Sequence, residues 1–146
     1  MLKESIVIDK PPREVFEWLM HFVENYRAWH PDHISAHWTK GRNFEIGSIL
    51  HTEEYIGDEK ETIRFRTTWV ITDRLIKYQL LFPHSLICSG GSFRFESQNG
   101  STLFIATLSF RMSRILKVFF NKKFKAIRKH MREEGANLKQ ILEGAA

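Results

Sequence analysis

SRILKVFFNKKFKAIRKHMREEGANLKQILE, Ser113 to Glu143, carries apolar residues at Phe120, Phe124, Ile127, Met131, Leu138 and Ile141. Steps of three, four and seven follow one face of an α-helix, so the spacing predicts a single long C-terminal helix over 113–143. At about 1.5 Å per residue that rod would be roughly 45 Å long, and one face of it is expected to cover an extended sheet. The apolar register is interrupted between Met131 and Leu138, where Glu134 falls, and His130 stands one turn earlier on an adjoining face. Residues four apart on a helix lie about 5–6 Å apart at Cβ, close enough to share a ligand. A carboxylate set among buried neighbours must be neutral, paired or bound to a cation.

The chain before this helix begins with a strand-like alternation at Ser5–Asp9. Pro11-Pro12 ends it and opens a helix over Arg13–His21, with Val15, Phe16 and Leu19 at helical spacing. A second short helical segment is expected over Glu24–Ala28. Trp29-His30-Pro31-Asp32-His33, His37 and Trp38 read as a loop, because Pro31 disfavours helix at His30. From Gly47 onward the pattern is strands and turns: Gly47–Ile56, Thr62–Ile71, Leu75–Phe82, and a hairpin of Gly91–Ser97 with Thr102–Met112 around Gln98-Asn99-Gly100. In Thr62–Ile71 the alternation places Ile63, Phe65, Thr67, Trp69 and Ile71 on one face and Arg64 and Arg66 on the other. Five or six strands run together instead of alternating with helices, which predicts an α+β fold with an antiparallel sheet. The expected arrangement is a curved sheet wrapped around the last helix, with two short helices after strand 1 and an apolar cavity enclosed between. No linker or repeat divides the chain, so residues 1–146 are expected to form one domain.

Twelve Phe and four Trp in 146 residues suit a large core or a broad apolar cavity better than a small polar cleft. The formal charge of +5 invites an anionic partner. Much of the excess, however, lies at Lys117, Lys122, Lys123, Lys125, Arg128, Lys129 and Arg132, where the solvated face of an amphipathic helix accounts for it. Nucleic acid is therefore not expected as a partner. Cys88 is the sole cysteine; it excludes an intrachain disulfide, reads as a buried structural thiol and fits a cytoplasmic setting. The opening MLKESIVIDKPP reads as neither a signal peptide nor an anchor, and no apolar run reaches the length of a membrane span, so membrane insertion is not expected.

The order of strand, two short helices, strand meander and long last helix resembles the helix-grip fold of the START-related SRPBCC (polyketide cyclase-like) superfamily. Its opening, ESIVIDKPPREVFEWLMHFVENYRAWHP, resembles that family's first strand, Pro-containing turn and helices. Members include lipid carriers, receptors, cyclases and hydrolases, so the fold alone does not select an activity.

Three places offer metal ligands: the loop with His30, Asp32 and His33, the strand with Glu53-Glu54, and His130 with Glu134. On the strand, Ile46, Ser48, Leu50, Thr52, Glu54 and Ile56 share the more apolar face, which points Glu54 inward and Glu53 outward. One loop His with Glu54, His130 and Glu134 makes a site of two imidazoles and two carboxylates, a donor set that suits zinc and admits Mn or Fe. The arrangement resembles the zinc-dependent phloroglucinol hydrolases of the same superfamily, which cleave a carbon–carbon bond in diacetylphloroglucinol. Their zinc is held by a His, a Glu some two dozen residues later, and a His-x-x-x-Glu pair on the final helix. Here His30 and Glu54 are 24 apart and His130 and Glu134 are 4 apart, with His33 competing for the first position. The resemblance implies a metal-dependent hydrolase acting on an acyl–aryl or diketone-like carbon–carbon bond. His30 or His33, Glu54, His130 and Glu134 would be its ligands, and Glu54, His130 and Glu134 its catalytic groups. Tyr55, Tyr78 and His84 are the candidates for a general acid. The other expectation is a non-enzymatic carrier that binds a hydrophobic or aromatic small molecule or lipid in the same cavity. Either leaves room for a homodimer.

Overall fold

The computed structural model describes residues 1–111 and 114–144. Strand β1 (Leu2–Ile8) leads into helices α1 (Pro12–Met20) and α2 (Phe22–Trp29). Then follow β2 (His33–Lys40), β3 (Ile49–Ile56), β4 (Glu59–Ile71), β5 (Leu75–Leu80), a single 3-10 turn at His84–Leu86, β6 (Cys88–Gln98) and β7 (Ser101–Phe110). Two helices close the chain, α3 (Arg114–Phe119) and α4 (Asn121–Gly144).

The seven strands form one antiparallel sheet in the order β1-β7-β6-β5-β4-β3-β2. This corrects the expectation of a curved sheet wrapped around the helix. The sheet is open, with β1 and β2 as its two edges and no pairing between them among the described residues. The reason lies in the chain between those edges. Pro11-Pro12 starts α1, and α2 carries the backbone across before β2 begins, so the two sides are joined helix to helix. Trp29 Nε1 donates to the Glu134 carbonyl (2.9 Å) and Asn137 Nδ2 donates to the Trp29 carbonyl (3.0 Å). Helix α4 lies over one face of the sheet and packs chiefly on β1. Gly135 sits at that crossing, where an added Cβ would stand 3.5 Å from Ile6.

Three local readings also change. The expected single helix is interrupted at Phe120, so α3 and α4 are separate, and the expected start at Ser113 lies outside the described residues. Neither Gly nor Pro marks the break; the β-branched and aromatic run Val118-Phe119-Phe120 ahead of Asn121 is merely poor in helix formers. The segment read as a loop after Pro31 is largely the edge strand β2. In β4 a bulge between Thr67 and Trp69 reverses the alternation. Trp69 and Ile71 are therefore exposed, and Val70 turns to the core instead.

The core is the layer between α1, α2, α4 and the sheet. Val15, Phe16 and Leu19 of α1 and Phe22, Tyr26 and Trp29 of α2 are buried there with Ile8, Ile76, Phe95, Phe104 and Leu138. Side chains run out toward the other end of α4, leaving a cavity of about 820 Å³ under that helix.

Candidate metal centre and its cavity

The site is assembled by strand register and one helical turn. His33 and Glu54 are direct partners across β2 and β3, and His130 and Glu134 are successive turns of α4 facing them. His33 is stacked flat on Tyr26, with ring centroids 3.8 Å apart and planes at 5°. Its Nδ1 lies 2.7 Å from the Tyr26 carbonyl. A carbonyl only accepts, so the proton is on Nδ1, and Nε2 is the atom presented to the other three residues.

Around that Nε2 the spacings are short and even. It lies 2.9 Å from Glu134 Oε2, 3.2 Å from His130 Nε2 and 3.4 Å from Glu54 Oε2. His130 Nε2 is 3.2 Å from Glu54 Oε2 and 3.4 Å from Glu134 Oε2. Four donors bound to zinc at about 2.0–2.1 Å in a tetrahedron stand about 3.3 Å apart. The five contacts here, 2.9–3.4 Å, fit that spacing. The four atoms form a set able to hold a metal ion.

The buried charges of the site balance one another. Burial would depress the His130 imidazole, but Glu134 and Glu54 outweigh it and hold its pKa up to about 11. Burial would likewise raise Glu134, and His130 with His33 reverses this, bringing it down to about 2. A cation can thus take the place of the His130 proton beside two carboxylates. Tyr26 donates from its hydroxyl to Glu54 Oε2 at 2.8 Å. Burial and the two carboxylates raise the Tyr26 pKa far above its ordinary value, so that hydroxyl stays a donor. Sequence reasoning missed Tyr26; in FVENYRAW it is one apolar-face residue among several.

His30 is not among the four. Its Nδ1 accepts from the Asp32 N–H (2.9 Å), so Nε2 carries the proton and donates to Glu133 Oε1 (3.3 Å). With Asp32 and His130 it forms a second, overlapping group, in which the Asp32 side chain is about half exposed. Glu53 lies on the far side of β3, against Lys60 (3.6 Å). Ile46 precedes β3 and is exposed, outside the face assigned to it.

Glu54, His130 and Glu134 line the inner end of the cavity, with His33 buried behind them. Leu50, Phe65, Phe93 and Ala106 line it from the sheet, and Phe124, Ile127 and Met131 from α4. Tyr78 is also in the wall. An added Cβ at Gly91 would come within 2.6 Å of the Tyr78 hydroxyl, so the glycine makes room for the ring. Burial, with Cys88, Glu134 and Glu54, raises the Tyr78 pKa and keeps it protonated. At the outer end Lys123 pairs with Glu59 (2.8 Å) and Glu61, and His84 Nε2 lies 3.0 Å from Glu61. Tyr55 is on the exposed side of β3. Cys88 is buried, and burial raises its thiol pKa.

A sequence-family profile described as polyketide cyclase / dehydrase and lipid transport matches residues 2–143. The chain belongs to this family. Structures similar to this polyketide cyclase and lipid transport family member include TTHA0849 from Thermus thermophilus, at 13% identity and TM-score 0.77, covering 99% of each chain. The Zhui aromatase/cyclase from Streptomyces sp. R1128 matches at 13% identity and TM-score 0.67, over 96% of this chain and 94% of that one. Norcoclaurine synthase from Thalictrum flavum, in complex with dopamine and hydroxybenzaldehyde, matches at 8% identity and TM-score 0.77, over 99% and 87%. At such identities the likeness is one of fold. A search of curated proteins returns no match. No helix among the described residues is long and apolar enough to cross a membrane.

Proposed function

We propose that this chain binds a small hydrophobic or aromatic molecule in the cavity under α4, with a divalent metal ion, zinc by its donor set, held at the inner end by His33, Glu54, His130 and Glu134. The observation that carries the reading is a largely apolar chamber of about 820 Å³ whose inner wall includes Glu54, His130 and Glu134, grouped with His33. Ligand pockets commonly enclose about 300–1,000 Å³ with few, convergent polar groups. The family description and the cyclase and synthase neighbours support a cavity that takes such molecules. Titration with 2-naphthol tests it: saturable quenching of Trp29, which lines the cavity, is expected at one equivalent per chain. Absence of binding at millimolar naphthol would overturn it.

The ligand set favours a second reading, hydrolysis of an acyl–aryl or diketone-like carbon–carbon bond, as in the phloroglucinol hydrolases. A bound divalent ion would polarise a carbonyl and lower the pKa of water. The chain's own part is to hold the aromatic body against Phe93 and Met131, and to accept the proton of the attacking water on Glu134. Tyr78 gives a proton to the leaving carbon and regains one from protonated Glu134, so a carboxylic acid and an unsubstituted ring carbon are the products and both side chains return to their starting states. Glu54, steadied by Tyr26, keeps the site's negative charge while Glu134 is protonated. Incubating zinc-loaded protein with diacetylphloroglucinol should release acetate, and Glu134→Gln should abolish release. No acetate from zinc-loaded protein would remove this reading and leave the binding one.

A further inference from the structure

The cavity opens beside an apolar surface that the metal and ligand readings do not use. Ile115 is 71% exposed, Val118 77% and Phe119 78%, and Phe82 and Leu86 are 67% and 68% exposed. The two segments rim one opening, since Pro83, His84 and Ile87 line the cavity with Phe119 and Phe120. The Arg111 N–H donates to the Ile87 carbonyl (2.7 Å), tying the end of β7 to the 3-10 turn.

Charge identifies the occupant. Residues 111–132 contain nine of the 22 Lys and Arg and none of the 17 Asp and Glu. The rest of the chain, with 13 cations against 17 carboxylates, is net −4, so the excess is concentrated in this segment. Lys123 is engaged by Glu59 and Glu61, and Arg128 and Arg132 by Glu4. Among the described residues no carboxylate pairs with Arg114, Lys117, Lys122, Lys125 or Lys129. Exposed large apolar side chains set among unpaired cations match a surface that is anionic outside and apolar just beneath. A second copy of the chain would bring the same cations face to face, and nucleic acid would leave the apolar side chains in water.

We propose that α3 and the His84–Leu86 turn seat this protein on an anionic lipid surface, with Ile115, Val118, Phe82 and Leu86 in the headgroup layer and the cavity mouth turned toward the lipid. The proposal stands without the metal or the hydrolytic reading. Co-sedimentation of the full chain is tested with vesicles of phosphatidylserine and phosphatidylcholine in a one-to-two mixture, and with phosphatidylcholine alone. At least a tenfold preference for the anionic vesicles, lost in molar salt, is expected. Lys117→Gln/Lys125→Gln should lower partitioning roughly 25-fold, about fivefold per cation, and Ile115→Ser/Val118→Ser at least tenfold. These four residues are exposed, so melting temperatures should not change. Equal binding to both vesicles, or none to either, overturns the proposal. So does duplex DNA binding tighter than vesicle binding and unaffected by Ile115→Ser/Val118→Ser, or self-association that the same variant abolishes.

Discussion

Tyr26→Phe separates the geometry of the site from the stability of the fold. The substitution keeps the ring that stacks on His33 at 3.8 Å and the backbone carbonyl that accepts from His33 Nδ1. It removes only the hydroxyl that donates to Glu54 Oε2 at 2.8 Å. A hydrogen bond to a charged group is worth about 1.5–3 kcal/mol. Groups that orient metal ligands change affinity by roughly 10–100-fold, and the two figures agree, since about 1.4 kcal/mol is tenfold. Zinc affinity, measured by competition with a chromophoric chelator, should therefore fall within that range while the melting temperature of the metal-free protein shifts by a few degrees at most. Unchanged zinc affinity would refute the role given to Tyr26. So would an equal loss in a variant that leaves the hydroxyl in place, such as Glu53→Gln on the outer side of β3.

Leu138→Ala removes a fully buried side chain from the core between α4 and the sheet. It should cost about 2–5 kcal/mol in denaturant unfolding, and a loss below about 1 kcal/mol would contradict that packing. Gly91→Ala drives a methyl toward the Thr107 carbonyl and the Tyr78 hydroxyl, so weaker naphthol binding and a lower melting temperature are expected together; wild-type behaviour in both would show that the close approach is not required. In the metal-free protein the His130–Glu134 pair also predicts a pH profile. Glu134, held down to about 2 from 4.5, contributes stability above pH 4.5 that is lost as pH falls toward 2. His130, raised to about 11 from 6.5, contributes stability that is full below pH 6.5 and lost as pH rises toward 11. The melting temperature relative to His130→Gln/Glu134→Gln should thus be greatest between pH 4.5 and 6.5, and parallel profiles would contradict the coupling.

The helix pair and the inward strand face were legible because each depends on a period the sequence states directly. Glu134 interrupts a helical stripe, and Glu54 shares parity with Leu50 and Thr52, which are buried. The choice between His30 and His33 was not legible. It depends on β2 being a strand whose first residue pairs with Glu54, and Pro31 with its aromatic neighbours made that stretch read as a loop. The resemblance's spacing along the chain pointed to His30 with His33 as competitor, whereas cross-strand register sets His33 beside Glu54. The bulge after Thr67 left no mark in the alternation of β4, because Trp69 and Ile71 are as apolar as the Val70 that replaces them inside. The open sheet was likewise hidden. A meander and a covering helix are compatible with closed or open edges, and the α2–α4 hydrogen bonds of Trp29 that bridge the gap involve backbone carbonyls, which carry no residue-type signal.

Elemental analysis of the full chain, purified without an affinity tag and reconstituted with zinc before exhaustive dialysis, bears most directly on the four-ligand site. About one zinc per chain should be retained, and it should be lost in both Glu54→Ala and His130→Ala while His30→Ala keeps it. Retention by both of the first two variants, or no retained metal in the unaltered protein, would contradict the account.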